Sequence, residues 1–131
     1  MNSLLVYGSL MNSKVINLII GRVPTSIPVT LLGYHRYKIK NKVYPAIYEN
    51  EGSQVEGLLL EDLNDSEIYK LDKWESDEYL RISVNVKVNA KNKRVYIYRW
   101  NANLSDLYGT WGYKVDFIPY ETEFIRSISQ H

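Results

Sequence analysis

Residues 78–100 constrain the fold more than any other segment, because they read as two long strands joined by a short turn. In "EYLRISVNVKV" (78–88) apolar and polar residues alternate, and "VYIYRW" (95–100) is rich in β-branched and aromatic residues. Alternation with a period of two is typical of a strand that has one buried face. The intervening "AKNKR" (90–94) predicts a hairpin turn. A β-sheet is therefore expected to form much of the structure.

Other segments add strands to this hairpin. Further strands are predicted at residues 4–8, 29–40 and 53–63. The piece "YPAIYEN" (44–50) is expected to be short and edge-like, because Pro45 cannot donate a hydrogen bond to a ladder. Gly33 and Gly57 each interrupt a strand pattern. Glycines at such positions are typical of the kinks that curve a sheet.

Three helices accompany the strands. They are predicted at residues 11–21, 64–75 and 118–128. Asn12 or Ser13 can cap the first helix and Gly21 suits its C-terminal end, whereas Asn64 and Glu67 form a plausible capping box for the second. Because helices and strands do not alternate strictly, the pattern favours an α+β fold with a curved, partly closed mixed sheet and a few peripheral helices.

Composition narrows the class of protein. The 131 residues are long enough to bury a core and are expected to form one domain, 1–131. The formal net charge of +1 gives no overall field that would recruit nucleic acid or an anionic membrane. The absence of cysteine excludes a disulfide scaffold, a thiolate zinc site and a cysteine nucleophile. With no apolar run near the roughly 20 residues of a membrane span, and no secretory signal pattern, we expect a soluble cytoplasmic protein.

Carboxylates crowd one segment, "LDKWESDEYLR". They are Asp72, Glu75, Asp77 and Glu78. Such a cluster usually forms a solvated helix end, but two details set Glu75 apart. On a helix it shares a face with Asp72 and with Leu71, which should point inward. Trp74 precedes it, and an aromatic wall beside a carboxylate raises the carboxylate's pKa by desolvation. Glu75 is therefore the candidate functional carboxylate.

The histidines and the search for metal-ligand motifs give less evidence of a functional site than Glu75 does. His35 and His131 are the only histidines, and His131 is the terminal residue. His35 has no recognisable catalytic partner, so we interpret it as an ordinary strand histidine. No motif with metal-ligand spacing is present, and no metal site is expected.

The segment "HRYKIKNK" (35–42) is the candidate for nucleic-acid binding. Arg36, Lys38, Lys40 and Lys42 recur at every second residue, so one strand face is cationic. A basic strand interleaved with aromatic residues can follow a phosphate backbone. Lysines also protect the solvent-exposed edge of a sheet. Because acidic residues balance the charge, we favour a solvated face and no nucleic-acid partner.

The segment "LLVYGSLM" (4–11) suggests a ligand-binding loop. A hydrophobic strand ends on Gly8 and Ser9, directly before a predicted helix. Free backbone N–H groups at such a position can bind a carboxylate or a phosphate. A side chain at Gly8 would block the close approach of a ligand to the backbone. Neither a P-loop pattern nor a GxSxG elbow is present, and Ser9 has no credible base partner.

Four motifs taken in order resemble the gamma-glutamylcyclotransferase-like family over residues 4–86. They are "VYGSL", "YPAI", "VEGLLLEDL" and "LDKWESDEYLRISV". The resemblance implies a small β-barrel with α-helices on its outside. It also implies a catalytic base at Glu75. The substrate-binding positions that it implies are Tyr7, Gly8, Ser9 and Leu10 in the loop, followed by Tyr79 and Arg81. Many relatives have glycine where this chain has Ser76, so the turn beyond Glu75 is a point of possible difference.

The resemblance further implies an activity that needs no metal or other cofactor. A gamma-glutamyl amino acid, peptide or amine would be cyclised by intramolecular aminolysis to release 5-oxoproline. The leaving amine and the oligomeric state stay open. The alternative is a non-catalytic small-molecule-binding module that uses the same pocket, and a nucleic-acid-binding barrel that uses the 36–42 face is a third interpretation.

Overall fold

The computed structural model describes residues 1–129, which contain one six-stranded mixed sheet and three α-helices. The strands are β1 (Asn2–Val6), β2 (Ser26–Ile39), β3 (Pro45–Leu63), β4 (Tyr79–Val88), β5 (Lys91–Trp100) and β6 (Leu107–Tyr108). The helices are α1 (Ser13–Ile20), α2 (Asp65–Glu75) and α3 (Glu121–Ser129). The sheet order is β4-β5-β1-β3-β2-β6, in which β1 runs parallel to β5 and every other neighbouring pair is antiparallel. The predicted α+β class is confirmed.

Strand β3 differs from the prediction. The segments expected as a short edge piece and a separate strand form one continuous strand, which lies between β1 and β2. The interpretation of residues 44–50 as a short, separate piece is therefore wrong. The predicted edge character is present, because among the described pairings residues 45–49 pair with β2 only, whereas β1 pairs with residues 58–63. Pro45 is the first residue of β3, a position at which the missing N–H group does not interrupt the ladder.

The two strand glycines have different roles. At Gly33 the β2–β3 register shifts and φ is +84°, so the predicted kink is present as a bulge. At Gly57 the β2–β3 register continues without a shift, so no bulge is present there. A Cβ on Gly57 would lie 2.5 Å from the carbonyl oxygen of Val6. Glycine is needed there because β1 approaches the backbone of β3 closely.

Both faces of the sheet are covered. One face packs against the helices through residues such as Leu4, Ile16 and Leu71. The opposite face forms a second apolar cluster built from strand residues, including Leu5 and Val86. Strands β2 and β4 also contact each other although they are not neighbours in the sheet. The sheet is therefore curved around the second cluster. The pairings of the described residues contain no ladder that closes it, and closure into a barrel stays a prediction.

The helix ends follow the predicted capping. The side chain of Asn12 accepts hydrogen bonds from the first amides of α1, and Gly21 ends that helix with φ +88°. Asn64 and Glu67 form the capping box of α2. Arg22 donates two hydrogen bonds to the Glu67 carboxylate, at 2.6 and 2.8 Å. The N-terminal end of α2 is thereby fixed, and with it the direction in which its last residue points.

Within residues 1–129, no helix combines the length and the apolar character that crossing a bilayer requires.

The turn between β4 and β5 consists of Asn89 and Ala90, with φ values of 51° and 65°. The predicted turn at 90–94 is therefore misplaced, since Lys91–Arg94 already belong to β5. Two left-handed residues in a two-residue connection are typical of a type I′ turn, whose usual signal is Asn-Gly. Alanine at the second position hides that signal.

This turn predicts a gain in stability for Ala90→Gly. Glycine removes the steric cost of a left-handed alanine, and we expect the free energy of unfolding to rise by about 1 kcal/mol in urea denaturation. The matched control is Ala102→Gly at an exposed position without positive φ, where no gain is expected. Equal gains in both variants would contradict this explanation.

Candidate functional site

A cavity of about 290 Å³ lies where the C-terminal ends of β1 and α2 meet the start of β3 and one side of α3. Four of its lining residues are the predicted loop residues Tyr7, Gly8, Ser9 and Leu10. Glu75 and Tyr79 line it as well. The structure thus brings together six of the seven predicted site residues, although about seventy positions separate the two groups in the sequence.

The loop after β1 is fixed by contacts on both sides of Tyr7. The Tyr7 hydroxyl donates a hydrogen bond of 2.7 Å to the Tyr98 carbonyl, and the Tyr7 carbonyl accepts one of 2.9 Å from Nη1 of Arg36. Arg36 also donates to the carbonyls of Glu56 and Trp111. Arg36 was predicted only as part of a cationic face. Its half-buried guanidinium instead ties the loop to β3 and to the segment after β6.

Gly8 is required by a protein contact. A Cβ on Gly8 would lie 2.6 Å from Cδ of Pro45. The group that excludes a side chain is therefore the first residue of β3, which also lines the cavity, and the close approach of a ligand to Gly8 stays a prediction. Ser9–Met11 then form a single 3₁₀ turn. Among residues 1–129, no acceptor is found for the backbone N–H groups of Ser9 and Leu10, the first of that turn.

Glu75 is the last residue of α2 and lines the cavity as a half-buried residue. Burial raises the pKa of its carboxyl to about 8, and the nearby Glu78 and Asp72 act in the same direction. The predicted raised pKa is therefore present, with the predicted main cause. Glu78 also lines the cavity, which the sequence did not single out. Of the described residues that line the cavity, none is a lysine, arginine or histidine.

Tyr79 is buried beneath the cavity at the start of β4. Its hydroxyl donates a hydrogen bond of 2.8 Å to the Pro45 carbonyl, and its ring packs edge-on against Trp100 with 5.4 Å between ring centroids. Burial raises the pKa of Tyr7 and of Tyr79 well above the usual phenol value, so both stay neutral donors. Tyr79 therefore links the start of β3 to the α2–β4 connection.

Arg81 is the predicted substrate-binding residue that does not line this cavity. Its guanidinium donates to both oxygens of Asp72, at 2.9 and 3.2 Å, and lies 4.4 Å from the centroid of the Tyr96 ring. Asp72 also accepts a hydrogen bond from the Tyr98 hydroxyl. Arg81 thus compensates the charge of Asp72, one helical turn before Glu75.

Helix α3 supplies a wall of the cavity that the sequence did not reveal. Phe124, Ser127 and Ile128 line it, and Phe124 packs edge-on against Trp74 with 6.3 Å between centroids. The predicted helix at 118–128 corresponds to α3, which begins at Glu121. The spacing of Phe124 and Ile128 signals an apolar helix face, but spacing alone does not tell a core face from a cavity wall.

The other candidates lie elsewhere. Lys38 lies 3.7 Å from a carboxylate oxygen of Asp116, and Lys40 and Lys42 are exposed. Nε2 of His35 lies 3.1 Å from the Gly109 carbonyl oxygen, and His131 is outside the described residues. Residues 1–129 contain no group of three or more side chains suited to hold a metal ion.

Fold and site together define a small α+β domain in which a desolvated glutamate faces a backbone loop across an aromatic cavity. Residues 4–113 match the family described as gamma-glutamyl cyclotransferase, AIG2-like. The chain belongs to that family.

Individual relatives agree with this assignment. AIG2-like protein C of Arabidopsis thaliana is 33% identical over 134 residues, which cover 95% of this chain and 78% of the relative. AIG2-like protein D of the same plant is 37% identical over 118 residues, covering 87% and 78%. A solution structure of an Arabidopsis thaliana protein superposes with a TM-score of 0.75 at 28% identity, covering 98% of this chain and 89% of that one.

Glu75→Gln should stabilise the protein increasingly as pH rises. The folded-state pKa of about 8 lies above the usual 4.5, so folding favours the protonated carboxyl. The free energy of unfolding of the wild type therefore falls as the pH rises from about 4.5 to about 8. Glutamine mimics the protonated form. We expect an advantage of about 2–4 kcal/mol at pH 9 that shrinks towards pH 4.5, measured by chemical denaturation across pH. Asp77→Asn, at an exposed position two residues on, should give no such trend.

Ser76 adopts φ 61° and ψ −168°, a conformation that is essentially reserved for glycine. The turn after Glu75 is therefore built at a conformational cost. Ser76→Gly should raise the free energy of unfolding by about 1 kcal/mol, measured in urea. Ser76→Ala keeps the Cβ and should give no gain. A gain in the alanine variant would show that the hydroxyl, not the backbone, carries the cost.

Proposed function

We propose that this protein is a gamma-glutamylcyclotransferase-type enzyme that releases 5-oxoproline from a small gamma-glutamyl compound. The observation that carries the proposal is the half-buried Glu75 with a pKa of about 8, in one cavity with the loop at Tyr7–Leu10. Family membership supports it independently. The roles of the individual residues below are part of the proposal.

The reaction is an internal acyl transfer in which Glu75 moves protons from the attacking to the leaving nitrogen. The ionised Glu75 carboxylate takes one proton from the substrate α-ammonium, and the free amine attacks the γ-carbonyl carbon to close a five-membered ring. The tetrahedral intermediate then collapses, the bond to the leaving nitrogen breaks, and Glu75 gives its proton to that nitrogen. The ring nitrogen loses its second proton through the regenerated Glu75 carboxylate to the released amine, so that the products are the neutral lactam and an ammonium group. Held in this geometry, the two reacting groups of the substrate lose little further entropy.

The polar character of the cavity suits such a substrate. Two carboxylates and no cationic side chain among the described lining residues favour a ligand with an ammonium group near Glu75. The N–H groups of Ser9 and Leu10 are suited to the carboxylate or the developing oxyanion. Binding of the ammonium lowers the pKa of Glu75 and so generates the base.

The alternative is a binding module that recognises the same compounds without turnover. Formation of 5-oxoproline decides between binding and catalysis. The nucleic-acid alternative is less favoured, because Arg36 is committed to backbone carbonyls and Lys38 lies beside Asp116.

Glu75→Gln should lower the rate of 5-oxoproline release by roughly 10²–10⁴-fold, because it removes the base and keeps the shape. Substrate affinity, measured by calorimetry, should change far less. In the wild type, kcat/KM should rise with pH up to about 8, since the free enzyme must lose the Glu75 proton before it can accept one.

The matched control is Asp77→Asn, a neighbouring carboxylate that does not line the cavity. It should retain near wild-type turnover. Undiminished turnover in Glu75→Gln would overturn the mechanism, and a wild-type protein that binds gamma-glutamyl compounds without cyclising them would favour the binding module.

A further inference from the structure

Helix α3 lies outside the segment that matches the family, which ends at residue 113. It nevertheless completes the cavity, to which it contributes Phe124, Ser127 and Ile128. The loop and Glu75 lie within the family segment, whereas this wall lies beyond it. Its chemistry bears on substrate choice.

The wall is apolar and preformed. Phe124 packs against Trp74 on α2 and against Phe117, with 6.3 and 5.3 Å between ring centroids. Phe124 and Ile128 are only half-buried, so part of each side chain is free to contact a ligand in the cavity. Ser127 is the one polar side chain that α3 contributes to the lining.

The wall is also tied to the loop. The Nδ2 group of Asn12 lies 3.1 Å from a carboxylate oxygen of Glu121, the first residue of α3, and 3.0 Å from the Tyr113 hydroxyl. Asn12 directly follows the 3₁₀ turn that contains Ser9 and Leu10. The two sides of the cavity are therefore held at a fixed separation, which favours recognition by shape.

We propose that α3 forms the subsite for the leaving group, and that Phe124 and Ile128 make the enzyme select gamma-glutamyl compounds whose leaving group is apolar or aromatic. This inference rests on the proposed function. The glutamyl part of such a substrate carries the ammonium, the carboxylate and the reacting carbonyl, which need Glu75 and the loop. The part beyond the scissile bond then meets other lining residues, among which Phe124, Ile128 and Trp74 form a continuous apolar surface. Burial of an apolar group against that wall stabilises the complex.

The test compares two substrates that differ only in the leaving amino acid, gamma-glutamyl-phenylalanine and gamma-glutamyl-glycine. For the wild type, kcat/KM should be higher for the phenylalanine compound by about tenfold or more, a typical scale for an apolar pocket. In Phe124→Ala and in Ile128→Ala this ratio should fall several-fold, mainly through KM. Phe124→Leu should give an intermediate ratio. Using a ratio cancels losses of folded protein, which affect both substrates equally.

The matched control is Ile125→Ala, which truncates a half-buried side chain of the same helix that does not line the cavity. It should leave the ratio unchanged. Turnover of both compounds at equal kcat/KM, or a ratio unaffected by Phe124→Ala and Ile128→Ala, would overturn the specificity inference and leave the proposed function standing. Absence of 5-oxoproline from both compounds, with release from another gamma-glutamyl compound such as a gamma-glutamylamine, would also overturn the inference alone. Absence of 5-oxoproline from a panel of gamma-glutamyl amino acids, peptides and amines would overturn the proposed function, and the inference with it.

Discussion

The position of β1 in the middle of the sheet is the constraint on which the site depends. Leu4 and Leu5 are fully buried on opposite faces, one in each apolar cluster. A slip of one residue would exchange the faces and disrupt both clusters, each of which gains about 1.5–3 kcal/mol from such a leucine. The close approach of Val6 to Gly57 fixes the strand further. The loop that follows β1 therefore has one fixed position, in which it contacts Pro45.

Glu75, the last residue of α2, lies in an environment that disfavours its ionised carboxylate. A carboxylate at a helix C-terminus faces the negative end of the helix dipole, which adds to the effect of burial on Glu75. Such a group would drive the helix end towards solvent if the helix were free to move. The capping box, the Arg22–Glu67 pair and the buried Leu71 prevent this. Stability elsewhere in α2 thus keeps the carboxyl in the cavity.

Short sequence patterns predicted the residues that line the candidate cavity better than they predicted the strand pairing of the sheet. Strand and helix positions, the caps of α1 and α2 and the environment of Glu75 follow from short patterns, because the causes lie within a few residues. The continuity of β3 and the partner of Arg81 depend on contacts between distant segments. Gly57 illustrates the difference, since the sequence reveals a glycine in a strand but not the carbonyl of Val6 beside it. Chain order alone could not assign α3 to the cavity for the same reason.

The cavity combines two requirements that different parts of the chain meet. Under the proposed function, a charged glutamyl group needs backbone amides and a carboxylate held rigidly, and the loop after β1 and the end of α2 are the candidates for these within the family segment. An apolar leaving group needs only a surface of matching shape. Helix α3 can provide that surface without entering the sheet, since it joins the core through Phe124 and the loop through Asn12. We expect substitutions on its cavity face to change contacts with a ligand and to leave the pairing of β1 with β3 and the capping of α2 intact. Under the proposed function, substrate preference can therefore vary in α3 independently of Glu75 and the loop.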